Sequence, residues 1–269
     1  MPPSENSNVL VNPVLERMRA GEVALGMNIR LGRSGDIAAI AKTTGHDFLF
    51  IDSQHAIFSN ETLAHIAQAA RGCGVAPFVR VRSYDDPNTS LLLDAGVTGI
   101  VFPDVNTAAE ARKAVDSVKF PPIGKRSVAG AGFLFDFRPM PMADTIRILN
   151  ETTVVMCMIE TMEGLENVES IAAIEGVDVL HIGCNDLLVS MGAPGAFGGQ
   201  QIVAAIDRVI KAAADNGKYV GLGGDRDVGR QVEFIGKGVN LMTTHTDIGF
   251  LMAEASRRTA ELRKALGKG

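Results

Sequence analysis

The stretch DFLFIDSQHAIFSNETLAHIAQAARGCGVAPFVRVR, Asp47–Arg82, holds the pattern that decides the fold. It opens on a short apolar run, Asp47–Asp52, and closes on a second one, Ala76–Arg82. Neither run alternates with polar residues at its centre, which is how parallel strands covered on both faces read. Between them lies an amphipathic segment, NETLAHIAQAARGCG, preceded by Ser and closed by Gly. Ser can cap the first free N–H groups of a helix, and Gly tolerates the left-handed turn just past its end. The first run finishes on Asp52, with Gln54 and His55 close behind. An apolar strand that ends in an acid and an imidazole needs a reason.

The same unit recurs along the chain. Apolar runs fall at Glu22–Arg30, Thr98–Asp104, Thr153–Glu160, Val177–Gly183, Tyr219–Gly224 and Val239–His245, which with the first two makes eight. Amphipathic helices lie between them, and the longest, DIGFLMAEASRRTAELRKALGKG, closes the chain with a basic end. Eight strand–helix repeats in this length predict an α/β fold, a closed (β/α)8 TIM barrel. A doubly wound open sheet is the alternative, but IRLGRSGD after the first strand is a weak nucleotide turn. The reading is one barrel domain over residues 1–269, with 1–13 as a flexible N-terminal tail. One connection, Phe102 to Thr153, is far longer than one helix requires and carries a Pro-, Gly- and Arg-rich insert; long loops in compact domains tend to be functional.

Composition narrows the function. The 269 residues are 46% hydrophobic with no Trp, enough for a sizeable core. The 26 basic and 31 acidic groups are spread without blocks, which argues against a nucleic-acid or membrane surface. No apolar run approaches ~20 residues, and the polar start lacks a signal-peptide core, so cytoplasmic residence is expected. Cys73, Cys157 and Cys184 have neither paired nor zinc-type spacing and read as free thiols.

In a barrel of this type the chemistry sits at the C-terminal ends of the strands. Strand 2 delivers Asp52, Gln54 and His55 there; strand 3 delivers Arg80, with Arg82 as a second candidate. Strand 5 delivers Glu160, strand 6 Asn185 and Asp186, strand 8 His245 and Asp247, and the insert Arg126. Glu160 and Asp186 form a plausible pair for one hard divalent cation, Mg2+ or Mn2+ with Co2+ also compatible, because such ions take a few carboxylates and complete their shell with water and substrate. An arginine beside them offers a fixed fork for a carboxylate. A histidine partnered by Asp is a general base near neutral pH. Together these suit enolisation of a 2-oxo acid. His46, His65 and His181 read instead as packing or surface residues.

The chain resembles the HpcH/HpaI family of metal-dependent (class II) pyruvate aldolases over about Glu22–Leu262. FLFIDSQHA resembles the family's strand ending in IDxEH, and PFVRVR its VVR strand. LLLDAGVTGIVFPDVNTAAEARKAV, FPPIGKRSV and MIETMEGLENVESIAAIEGVDVLHIGCNDLLVSMG resemble its remaining motifs. The resemblance implies Glu160 and Asp186 as metal ligands, His55 as base with Asp52 its partner, and Arg80 as the enolate-stabilising arginine. It implies that Arg126 helps receive the aldehyde and that the backbone at Gly183, Cys184 and Asn185 holds the oxo acid. It further implies a homohexamer, a trimer of dimers with the last helix exchanged. Three positions depart from the pattern: Gln54 replaces Glu, Met158 replaces Gln, and Cys184–Asn185 replace Pro-Ala. The implied activity is reversible cleavage of a 4-hydroxy-2-oxo acid to pyruvate and an aldehyde. An oxo-acid decarboxylase on the same site and a non-catalytic oxo-acid-binding barrel are the alternatives.

Overall fold

A computed structural model describes residues 10–130 and 132–267. Eight strands close into one barrel: β1 (Ala24–Ile29), β2 (Phe48–Asp52), β3 (Ala76–Arg80), β4 (Gly99–Phe102), β5 (Val154–Ile159), β6 (Val179–Gly183), β7 (Tyr219–Gly223) and β8 (Leu241–Thr246). Every neighbouring pair is parallel, and β8 pairs with β1 to complete the circle. All eight expected strands are present, and the closed barrel rather than the open sheet is borne out.

The strand period of two divides each apolar run between two cores. Leu49, Ile51, Val79, Ile100, Val155, Ile159 and Ile182 point outward and pack beneath the helices. Phe48, Phe50, Phe78, Met156, Met158 and Val179 point inward and fill the barrel. A Cβ at Gly26 would stand 2.1 Å from the Phe48 ring, so glycine on one strand makes room for a large side chain on the next. Continuing the inward series by two residues gives Asp52 on β2, Arg80 on β3 and Glu160 just past β5. The alternation that builds the core thus turns polar at the C-terminal rim.

The opposite end is closed by a helix, Pro13–Arg19, whose Val14, Leu15 and Met18 join the inner core. Residues 1–9 of the expected tail lie outside the described residues, and residues 10–13 are not a tail. Asn12 is buried, accepts from the Val14 N–H, and donates to the Thr98 carbonyl at 3.3 Å and the Thr152 carbonyl at 2.9 Å.

The long β4–β5 connection contains two helices, Ala108–Val118 and Met142–Thr152, and a 3-10 turn at Phe133–Phe135. The second helix was not anticipated; its Ile148 and Leu149 pack with Phe120, Leu134 and Phe135. The final helix, Asp247–Ala265, has no buried residue and exposes Phe250, Leu251, Met252 and Leu262.

Candidate active site

Asp52 is the centre of the rim. It is fully buried and accepts from Arg80 twice, Nε at 3.0 Å and Nη2 at 2.6 Å. Arg30 Nε donates to the same carboxylate at 2.7 Å, and the backbone N–H groups of Gln54 and His55 donate at 3.2 Å. Burial opposes ionisation of Asp52, but the Arg80 and Arg30 guanidiniums outweigh it and hold the carboxyl below its usual range. The strand therefore ends in an acid because that acid fastens two arginines and the turn that carries His55. The bond to His55 comes from its backbone, so Asp52 anchors that residue without bonding its imidazole, unlike the acid–imidazole partnership expected from the sequence.

Arg80 is buried and bidentate on Asp52, which fixes its plane; Nη1 has only the Met158 sulfur, at 3.9 Å. Arg82 lies beyond the strand and is exposed, so Arg80 is the arginine that faces the cavity. Glu160 is buried, with Oε1 accepting from the Asp104 N–H at 2.8 Å and Oε2 without a hydrogen-bond partner among the described residues. Asp104 presents that N–H from a left-handed conformation, φ 50°, which Asp tolerates better than most residues. Burial pushes the Glu160 carboxyl up to about 7, and the charges of Asp104 and Asp186 add to this. A Cβ at Gly183 would lie 2.6 Å from Glu160 Oε2, so glycine is required where β6 passes this carboxylate.

The cavity itself is lined by Arg30, Arg80, His55, Gly183, Cys184, Asn185 and Asp186, among others. The structure thus gathers His55, Arg80, Gly183, Cys184, Asn185 and Asp186 around one space, with Asp52 and Glu160 behind them. A larger cavity of about 210 Å³ at the other end, between residues 10–13 and 134–140, offers Asp136 but neither an acid pair nor a histidine.

Arg126 is not part of the rim. Its Nη2 holds Asp94 at 2.5 Å, and its guanidinium lies over the Phe120 ring at 4.7 Å. Asp94 ends the helix that runs back from β3 toward the start of β4, so the pair sits near the N-terminal end of the barrel. The expectation that this loop arginine reaches its own cavity does not hold: burial beside Phe120 and the Asp94 charge keep it away. Asp247 and His245 also differ from simple rim groups. Asp247 accepts from the N–H groups of Arg30, Leu31 and Gly32 and so fixes the loop after β1. His245 packs on Phe250, with burial and the Arg226 charge lowering its pKa.

Four polar side chains of the cavity escaped the sequence reading: Asn28, Arg30, Arg226 and Thr243. The signal for the first two was available, because Asn28 and Arg30 continue the inward period of β1. His181 also lines the cavity; burial and the Arg80 charge push its pKa down to about 3, so it is a neutral packing residue.

An eight-stranded parallel barrel with acids, arginines and a histidine gathered at its C-terminal rim has the form of a (β/α)8 enzyme. Residues 30–242 match the HpcH/HpaI aldolase/citrate lyase family, and the chain belongs to it. It is thus a lyase of the aldolase type, as the motifs implied. A 4-hydroxy-4-methyl-2-oxoglutarate aldolase of Hapsidospora irregularis is 38% identical over 219 residues, 81% of this chain and 80% of that one. A hydroxypyruvate/pyruvate aldolase of Cupriavidus necator is 30% identical over 250 residues, 93% of this chain and 91% of that one. The crystal structure of an HpcH/HpaI aldolase from Desulfitobacterium hafniense superposes with a TM-score of 0.88 at 26% identity, covering 93% of this chain and 96% of that one.

Proposed function

We propose that this protein is a divalent-metal-dependent aldolase that reversibly cleaves a 4-hydroxy-2-oxo acid to pyruvate, or a near relative, and an aldehyde. The observation that carries this reading is Glu160: a buried carboxylate with one unpartnered oxygen, beside Asp186 and in the field of Arg80. A buried acid in that state is costly unless a cation joins it. Among the described residues no group of three or more His, Cys, Asp or Glu is placed to hold a metal ion. Two carboxylates fit an ion that keeps the rest of its shell for water and substrate, which suits Mg2+, Mn2+ or Co2+. When bound, such a cation would polarise the 2-oxo group.

The chain's own residues supply the other parts. Gly183, Cys184 and Asn185 form the wall against which the oxo-acid end lies. Arg80, held rigid by Asp52, places a fixed positive charge where the oxygen of the pyruvate unit becomes negative. His55, exposed at the mouth, takes the proton of the C4 hydroxyl through water. As that proton leaves, the C4–O bond becomes a carbonyl and the C3–C4 electron pair stays with C3. C3 then takes a proton to become the methyl group of pyruvate.

Assembly into a hexamer with exchange of the last helix is part of the same proposal. Its support is the 19-residue Asp247–Ala265 helix with no buried residue and a row of exposed apolar side chains. Cytoplasmic residence belongs to this reading too; among the described residues no helix is long and apolar enough to cross a membrane.

The test is proton exchange at the pyruvate methyl, followed by NMR in D2O during a metal titration, with cleavage of 4-hydroxy-2-oxo acids measured alongside. Exchange and cleavage are expected to disappear together in EDTA and to return with Mg2+ or Mn2+. Cleavage untouched by chelation would remove the metal from the mechanism.

A further inference from the structure

The last helix begins on a carboxylate whose bonds lie mostly outside that helix. Thr246 already caps the first turn by accepting from the Gly249 N–H, and an acid at the first position is ordinarily explained by the helix dipole. Asp247 gives that role one bond, Oδ1 accepting from the Ile248 N–H. Three more reach across to the loop after β1: Oδ1 accepts from the Arg30 N–H at 3.1 Å, and Oδ2 from Leu31 at 2.8 Å and Gly32 at 2.7 Å. β1 and β8 pair as far as Asn28 and Thr246, which lays the foot of the helix beside the residues leaving β1. The Arg30 carbonyl is held as well. Arg33 Nη1 donates to it at 2.9 Å, and the Arg33 guanidinium lies 3.7 Å from the centre of the Phe58 ring, in the segment that follows His55.

Arg30 is thus gripped at both backbone groups, which aims its side chain at Asp52. Arg30 Nε at 2.7 Å and Arg80 Nη2 at 2.6 Å meet on the same oxygen, Oδ2. Oδ1 takes Arg80 Nε and the N–H groups of Gln54 and His55. A fully buried carboxylate keeps its charge and its orientation only while its partners hold. Without Arg30 one side of Asp52 is released, and the Arg80 plane and the His55 turn are fastened to the other. Arg30 therefore acts on the reacting centre through Asp52, and Asp247 acts through Arg30.

We infer that Asp247 and Arg30 are positioning residues of this active site: the foot of the last helix sets Arg30, and Arg30 holds Asp52 in the orientation that aims Arg80 and the His55 turn. This rests on the aldolase reading above and extends its machinery to a helix that the chemistry itself does not touch.

The test measures pyruvate methyl exchange and cleavage of 4-hydroxy-2-oxo acids in Asp247→Ala, Arg30→Met and the double variant. A misaimed arginine lowers turnover more than affinity, so kcat is expected to fall about tenfold or more in either single variant, with KM within about threefold. Because the two residues act in series, adding Asp247→Ala to Arg30→Met should lower kcat by less than about twofold. Arg30→Lys is expected to recover part of the loss, since an ammonium can still meet Asp52. Asp247→Asn keeps one acceptor oxygen and should show the same split at smaller size, which serves if the alanine variant does not fold. A second readout needs no turnover: 15N NMR of the Arg80 Nε–H, whose exchange with solvent is expected to quicken about fivefold or more in Asp247→Ala and in Arg30→Met. A rise in KM with kcat held, losses that multiply in the double variant, or Arg80 Nε–H exchange unmoved in both single variants overturns the inference. The aldolase reading fails separately, if the intact protein neither exchanges the methyl nor cleaves; the Arg80 signal would still decide the positioning.

Discussion

The two ends of the barrel handle buried polar groups in opposite ways. At the N-terminal end Asn12 is buried and fully engaged, and Lys119 Nζ reaches the carbonyl of Asn150 at 2.8 Å, the carbonyl of Thr153 at 2.5 Å and the Asp178 carboxylate at 3.1 Å. At or beside the C-terminal rim, Asn28 Oδ1, Gln54 Oε1, Glu160 Oε2 and His181 Nδ1 are buried without partners. Away from the rim the exceptions among the described residues are Arg126, with Nε and Nη1 lacking hydrogen-bond partners, and Arg112 Nε. An unpaired buried polar atom costs about 1–3 kcal/mol, so such atoms persist where a ligand can complete them. One end is organised for cohesion. The other forgoes cohesion to keep donors and acceptors ready.

The sharpest way to break this contrast is Glu160→Gln. It is expected to lower both cleavage and pyruvate methyl exchange about a thousandfold, the scale of losing an electrostatic element of the transition state. It is also expected to raise the thermal midpoint of the metal-free protein at pH 8. The sign follows from the carboxyl's rise to about 7: the folded state holds its proton more tightly than the unfolded chain, so stability falls as pH climbs from the usual 4.5 through 7. Gln carries no such penalty. A variant that loses both activity and stability would mean that Glu160 is a structural acid.

A middle-sized effect concerns His181, which bridges the two regions. Burial and Arg80 keep it neutral down to about pH 3, whereas in the unfolded chain it protonates near 6.5. Below pH 6.5 the unfolded chain therefore binds the extra proton, and stability is lost as the pH drops from 6.5 toward 3. In His181→Leu the urea midpoint should decline less steeply between pH 6.5 and 4 than in the parent protein. Identical slopes would show that the buried imidazole plays no part in acid sensitivity.

The smallest effect belongs to the closed end. Asn12→Ala removes the cap of the Pro13–Arg19 helix, and about 1–2 kcal/mol of stability should go with it. The exchange rate at the pyruvate methyl, measured below the unfolding transition, should stay within twofold. A large loss of exchange would mean that the plug helix and the rim are coupled through the inner core.

Much of this was legible in the chain itself, for one physical reason. A strand's period of two is local, so the residue that follows Phe48 and Phe50 on the inward face must be Asp52, whatever the rest of the molecule does. The same alternation places Arg80 and Glu160, and it reaches Asn28 and Arg30 as well, two polar residues within the Glu22–Arg30 run whose inward face the strand-end reading did not follow. Arg126 failed because it lies in a loop, where no period dictates direction; its place was set by Asp94 and Phe120, distant contacts that no local pattern encodes. The Pro13–Arg19 plug was missed because seven residues are too few for a helical period to show, and its helix is stabilised chiefly by the barrel it closes.

The amino-acid order alone determined the eight strands, their burial on both faces, and that Asp52 and Glu160 arrive at the rim, because backbone alternation needs no partner to operate. Only the tertiary structure decided that Asp52 is shared by two arginines, that Asp225 is taken by Arg230, and that Arg226 faces the cavity with no acid paired to it among the described residues. Charge pairing is a competition among groups far apart in the chain, and it is settled by distance once the barrel has closed.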